Sequence, residues 1–112
     1  MENYRFRDEP QERDLTAISS ILHTSGFFNT EEVEMGVSLI SERLEKGEEC
    51  GYYFQFIEDD SELIGYSCYG PIPGTAHSFD LYWIAVDKEY RGHGIGSLLL
   101  NKTEETLQQM NF

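Results

Sequence analysis

The spacing of apolar residues changes once along this chain, and the change limits the folds that the chain can adopt. In the first part, apolar residues recur three or four positions apart, which is typical of helices. Gly26 and Gly47 follow the two periodic segments and predict their ends. Asn29 and Glu32 have the spacing of a capping box at the start of the second helix. The periodic residues are Leu15, Ile18 and Leu22, then Val33, Val37, Ile40 and Leu44.

After residue 51 the pattern becomes that of strands. Residues 52–59 and 63–70 are rich in aromatic and β-branched side chains and are separated by a polar turn, which predicts a hairpin. Residues 78–86 are almost continuously apolar, as expected for a third strand that is covered on both faces. A short strand at residues 4–7 precedes the first helix, and an amphipathic helix runs from Gly94 to the end of the chain. The predicted order is therefore β-α-α-β-β-β-α, an α/β (α+β) fold.

The length and charge of the chain exclude several classes of protein. At 112 residues it has room for one domain, residues 1–112. Acidic residues outnumber basic ones by 21 to 8, giving a net charge of -13. Nucleic acids and anionic membranes attract basic surfaces, so neither is an expected partner, whereas an amine is compatible with this charge.

The cysteines and the first residues favour a cytoplasmic location. Cys50 and Cys68 are far apart, form no CxxC pair and have no clustered histidines nearby, so the sequence predicts neither a disulfide nor a metal site. The first ten residues are polar and lack the apolar segment of a signal peptide.

Residues 86–100, VDKEYRGHGIGSLLL, place a glycine-rich loop between the third long strand and the last helix. Glycines at 92, 94 and 96 let the backbone approach a phosphate at the positive end of a helix, and Arg91 adds a fixed charge. A tight turn with close helix packing is the alternative explanation. The loop lacks the Lys-Ser/Thr of a P-loop and the G-x-G-x-x-G of a dinucleotide-binding fold.

The segment from Val86 to Gly96 has the form V-x-x-x-x-R-G-x-G-x-G and resembles the acyl-CoA loop of the GNAT superfamily of N-acetyltransferases. The predicted element order resembles that family from residue 4 onward. The resemblance implies that acetyl-CoA is the cosubstrate, with its diphosphate on the loop and its pantetheine arm along the preceding strand. The implied cofactor-binding residues are Ile84, Ala85, Val86, Arg91, Gly92, His93, Gly94, Ile95, Gly96 and Ser97.

The resemblance also implies the transfer of an acetyl group to a primary amine. Asp80 lies six residues before Val86, where some family members carry a catalytic glutamate, and is the candidate general base. Tyr82 is the candidate for orienting the amine, with a place in the core as the alternative. Strand alternation predicts that both share a face with Ile84 and Val86.

The family's later elements, including a fifth strand and the helix that often carries a tyrosine acid, have no counterpart in these residues. No general acid is therefore named. The third long strand is expected to have a free edge, which favours a homodimer or other self-association, or pairing with a further part of the polypeptide. Two other functions are compatible with the sequence: a non-catalytic acyl-CoA-binding or interaction module, and a nucleotide-binding module that uses the same loop.

Overall fold

The computed structural model describes residues 4–71 and 78–109, and the order of elements is the one predicted. The final residues of the predicted last helix, 110–112, lie outside the described part, as do residues 1–3 and 72–77 of the predicted domain. Short 3₁₀ turns occur at Gly47–Cys50 and Lys88–Tyr90. The main elements are β1 (Tyr4–Arg7), α1 (Arg13–Ser25), α2 (Thr30–Lys46), β2 (Tyr53–Asp59), β3 (Glu62–Pro71), β4 (Phe79–Val86) and α3 (Ile95–Gln109).

The ends of the first two helices follow from local chemistry. Gly26 ends α1 with a φ of 80°, in the left-handed region that favours glycine. At the start of α2, the Glu32 amide donates to the Asn29 side chain at 2.8 Å. The Asn29 amide donates in return to the Glu32 carboxylate at 3.0 Å. The predicted capping box is therefore confirmed.

The four strands form one antiparallel sheet in the order β1-β2-β3-β4. The predicted hairpin is present, and Asp60 and Ser61 form its turn with φ values of 53° and 73°. Within residues 4–71 and 78–109, β4 is an edge strand, and its last residue leads into the glycine loop.

Helices cover both faces of the sheet. On one face, α1 and α2 pack over a core that includes Ile18, Ile40 and Phe56. On the other, α3 buries Ile95 and Leu99 against Ile57 and Ile64 of the hairpin. Each such side chain contributes about 1.5–3 kcal/mol when fully buried. The two cores fix the ends of β4 and α3, between which the glycine loop lies.

A buried ion-pair network joins β1, α1 and β2. Asp14, only 1% exposed, accepts two hydrogen bonds from Arg7 at 2.7 and 2.8 Å. Arg7 also donates to Glu58 at 2.9 Å, and Arg13 donates to the same carboxylate at 2.8 Å. Removing any one partner would leave an uncompensated buried charge, so these groups are committed to the fold and are not free for chemistry. No helix in the described ranges combines the length and apolar character that crossing a membrane requires.

Candidate functional site

The backbone of the glycine loop explains two of its three glycines. Gly92 and Gly94 have φ values of 83° and 77°, which an L side chain rarely adopts. Gly96 is helical, yet a Cβ added to any of these three glycines would meet no described atom within 4 Å beyond its chain neighbours and its own helix backbone. The tight turn proposed as an alternative explanation is thus present, but the close helix packing proposed with it is not.

The loop presents unpaired amides at the start of α3. The amide of Leu98 donates to the Gly94 carbonyl at 3.1 Å, the first hydrogen bond of the helix. The amides of Ile95, Gly96 and Ser97 have no acceptor among the described residues. Together with the helix dipole they form a positive end that suits an anion such as a diphosphate.

Two neighbouring side chains hold the loop to different parts of the fold. The Tyr90 hydroxyl donates to Asp59 at 2.9 Å, and this hydrogen bond raises the pKa of Tyr90 to about 12. The Arg91 guanidinium donates to the Ser25 carbonyl at 2.7 Å and lies 4.6 Å from the centre of the Phe27 ring. The loop is therefore attached to the hairpin on one side and to the end of α1 on the other.

A pocket of about 240 Å³ lies beside the loop, between the end of β4 and the segment that follows α1. Five of the ten predicted cofactor residues line it: Ile84, Ala85, Val86, Arg91 and Gly96. The structure therefore brings the strand end and the loop to one cavity, as a bound acyl-CoA requires.

The other five predicted cofactor residues do not line that pocket. Gly92, His93, Gly94 and Ser97 are exposed, while the Ile95 side chain is only 1% exposed and packs in the core beneath α3. Any contact from Ile95 to a ligand would come from its backbone.

A β-bulge in β4 changes the predicted position of the catalytic candidates. Cys68 pairs with Trp83, but Tyr69 pairs with Leu81, so Tyr82 is an extra residue. Before the bulge in the chain, Asp80 pairs with Gly70 of β3. After it, Ile84 pairs with Ser67, which contacts α3. The prediction that Asp80 and Tyr82 share a face with Ile84 and Val86 is wrong, because alternation shifts by one residue at the bulge.

Asp80 and Tyr82 do not line the pocket. The Tyr82 hydroxyl donates to the Pro71 carbonyl at 3.2 Å, and its ring meets Tyr52 edge-on with centroids 6.0 Å apart. Partial burial, followed by the charge of Asp80, raises the pKa of Tyr82. Asp80 itself is exposed.

Sequence reasoning missed the aromatic wall of the pocket. Phe27 and Phe28 follow the end of α1 and line the cavity together with Ser25. Phe28 packs edge-on against Trp83 of β4, with ring centroids 4.9 Å apart. Two successive phenylalanines directly after a helix-ending glycine are unusual in an exposed loop, and this was the available signal.

A second cavity of about 270 Å³ lies beside Asp8, Arg43 and Tyr69, away from the glycine loop. Its cation, Arg43, already donates to the Tyr52 carbonyl at 2.8 Å and to Glu9 at 3.0 Å. In the parts of the chain that the structure describes, no three His, Cys, Asp or Glu residues cluster so as to hold a metal ion.

Comparisons with known proteins agree with this geometry. The family model for the acetyltransferase (GNAT) family matches residues 15–112. A GNAT-family protein from Desulfovibrio desulfuricans is 34% identical, with a TM-score of 0.93 over 96% of this chain and 67% of that one. A comparison with curated protein sequences found no match.

Two more distant structures share the fold and contain coenzyme A. The PaiA N-acetyltransferase from Thermoplasma acidophilum, in complex with coenzyme A, is 20% identical with a TM-score of 0.74, over 97% of this chain and 74% of that one. A GNAT-family N-acetyltransferase from Escherichia coli, in complex with CoA, is 21% identical with a TM-score of 0.75, over 100% of this chain and 60% of that one. With the family model covering residues 15–112 and a 34% identical structure of the same fold, the chain belongs to the GNAT acetyltransferase family.

Proposed function

We propose that this protein binds acetyl-CoA and transfers its acetyl group to a primary amine. The observation that carries the proposal is the shared pocket, in which the end of β4 and the glycine loop meet beside the unpaired amides of α3. Family membership and the CoA-bound structures of the same fold support the choice of cosubstrate.

The residues present fit a CoA thioester. The diphosphate would lie on the amides of Ile95, Gly96 and Ser97, where the open space beside Gly96 leaves room for it. The pantetheine arm would lie along Ile84–Val86, at the edge of the sheet, as a peptide does when it adds to a strand. Acidic residues dominate the chain, so the positive end of the α3 dipole supplies the local attraction for the anion.

The reaction has a simple balance. The neutral amine nitrogen forms a bond to the thioester carbonyl carbon, the carbon–sulfur bond breaks, and the thiolate of CoA takes up a proton. A base must accept the proton that the amine loses. By the family resemblance, Asp80 is our candidate for that base and Tyr82 for the group that orients the amine. Tyr82 is the extra residue of the bulge in β4, and Asp80 lies two positions before it.

Release of free CoA tests this function. A thiol reagent would report turnover when the protein is mixed with acetyl-CoA and a panel of primary amines. We expect turnover with at least one amine and none with the matching tertiary amine. Tight binding of acetyl-CoA without turnover on any amine would instead identify a non-catalytic acyl-CoA-binding module.

A melting scan distinguishes the remaining alternative. Acetyl-CoA should raise the melting temperature, since a ligand that binds only the folded state stabilises it. Stabilisation by ATP and none by acetyl-CoA would indicate a nucleotide-binding module.

A cytoplasmic location is part of the proposal, because Cys50 and Cys68 are both free thiols.

A further inference from the structure

We propose that Arg91 is a positioning residue: its side chain holds the α1–α2 loop, residues 26–29, as one wall of the acyl-CoA pocket and does not bind the diphosphate. This inference rests on the proposed function and specifies how its site is built. It assigns to Arg91 a role different from that of the loop amides.

The Arg91 side chain is already engaged by protein groups. Its Nη2 donates to the Ser25 carbonyl at 2.7 Å, at the end of α1 where carbonyls lack helical partners and carry the negative end of the dipole. Its guanidinium carbon lies 4.6 Å from the centre of the Phe27 ring, within the range of a cation–π contact. Turning the side chain toward a bound diphosphate would break both contacts.

Within the α1–α2 loop, the Phe27 ring depends on this contact. Phe27 is 75% exposed, so little besides Arg91 holds its ring in place. Its neighbour Phe28 contacts Trp83, which lies next to the bulge in β4. Arg91 thus connects the glycine loop to the aromatic side of the pocket, and the pocket lies between these two walls.

The two possible roles of Arg91 predict different ligand dependence. A side chain that binds the diphosphate contributes only to ligands that carry one. A side chain that holds the pocket wall contributes to any ligand that fills the pocket, including acetyl-pantetheine, which has the thioester arm and no diphosphate. The ratio between the two losses therefore separates the roles.

The experiment compares Arg91→Gln with Phe27→Leu. Lys88→Gln is the control, because it removes one exposed positive charge from the connection between β4 and α3 that also contains Arg91. Affinities for acetyl-CoA and for acetyl-pantetheine are measured by titration for each variant. Trp83, the only tryptophan, reports on the loop in the ligand-free protein through its quenching by acrylamide.

We expect Arg91→Gln to lower the affinity for both ligands by a similar factor, roughly tenfold, as for the loss of one hydrogen bond to a charged group. Quenching of Trp83 should rise. Phe27→Leu should act in the same direction, and the double variant should lose less than the sum of the single changes, because the two side chains act through one contact. Lys88→Gln should change neither acetyl-pantetheine binding nor quenching.

A loss confined to acetyl-CoA, with acetyl-pantetheine affinity and Trp83 quenching unchanged, would show that Arg91 binds the diphosphate and would overturn the inference while the proposed function stands. If the wild-type protein binds neither ligand, the proposed function fails. In that case the quenching comparison alone decides the positioning role: increased quenching in Arg91→Gln supports it, and unchanged quenching contradicts it.

Discussion

Gly96 allows stability and ligand binding to be changed in opposite directions. It lies in the first turn of α3 and lines the pocket, and a Cβ at this position would meet no described atom within 4 Å. Replacement by alanine therefore introduces neither a clash nor a strained backbone. We expect the variant to fold normally and to bind acetyl-CoA less tightly.

The magnitudes follow from helix propensity and from the lost contact. Alanine is favoured over glycine inside a helix by about 0.5–1 kcal/mol, so Gly96→Ala should raise the free energy of unfolding by up to that amount. If its methyl group displaces one charge-assisted hydrogen bond, worth about 1.5–3 kcal/mol, the affinity should fall roughly 10- to 150-fold. Gly96→Leu should weaken binding further.

Urea unfolding and calorimetric titration with acetyl-CoA measure the two effects separately. Gly94→Ala is the matched comparison: its Cβ would also meet no described atom, but its φ of 77° should cost about 1–2 kcal/mol of stability. A weakened affinity in Gly94→Ala is ambiguous, since strain alone could cause it. Unchanged affinity in a stable Gly96→Leu protein would refute the assignment of the diphosphate to this end of the pocket.

Three further substitutions test other parts of the argument. Asp80→Asn should lower kcat roughly 10²–10⁴-fold in the amine assay and leave acetyl-CoA affinity unchanged; an undiminished kcat across the pH range would exclude Asp80 as the base. Tyr66 is fully buried, its hydroxyl has no partner among the described residues, and burial raises its pKa above that of the unfolded chain. The free energy of unfolding is therefore unaffected by this group below about pH 10, the pKa of an unperturbed tyrosine, and falls as the pH rises above it. Urea unfolding should thus show that Tyr66→Phe has nearly the same free energy of unfolding as wild type at pH 7 and one about 1.4 kcal/mol higher at pH 11. An equal loss of stability in alkali for the two proteins would contradict this. Gly70→Ala would place a Cβ 2.5 Å from the Gly51 carbonyl and 2.8 Å from the Tyr82 ring, so its melting temperature should fall, while an unchanged value would mean that the bulge can adjust.

Local features of the sequence were sufficient to predict the order of elements. Three local features depend only on residues a few positions apart. They are the capping box of Asn29 and Glu32, the left-handed residue that ends α1, and the left-handed residues in the turn of the hairpin. The glycine loop is similar, since the φ values of Gly92 and Gly94 arise within one turn. Such features are visible in the sequence because both partners of each interaction are close in the chain.

The features that sequence reasoning missed depend on distant residues. Arg91 and Ser25 are 66 positions apart, and no periodicity links a loop arginine to the last carbonyl of the first helix. The bulge at Tyr82 arises from the pairing of β3 with β4, and it reversed the predicted face of Asp80. Alternation along one strand cannot predict such a shift, because the register belongs to two strands.

The glycine loop is held in place by contacts to two other parts of the fold. Tyr90 attaches one side of the loop to the hairpin, and Arg91 attaches the next residue to the end of α1. Between these attachments and the first hydrogen bond of α3 only a few residues remain, and two of them are glycines with left-handed φ. Ordering a backbone residue costs about 1–2 kcal/mol, and these contacts leave fewer residues of the glycine loop to be ordered when a ligand binds. Binding a diphosphate would therefore order fewer residues, so more of its interaction energy would appear as affinity.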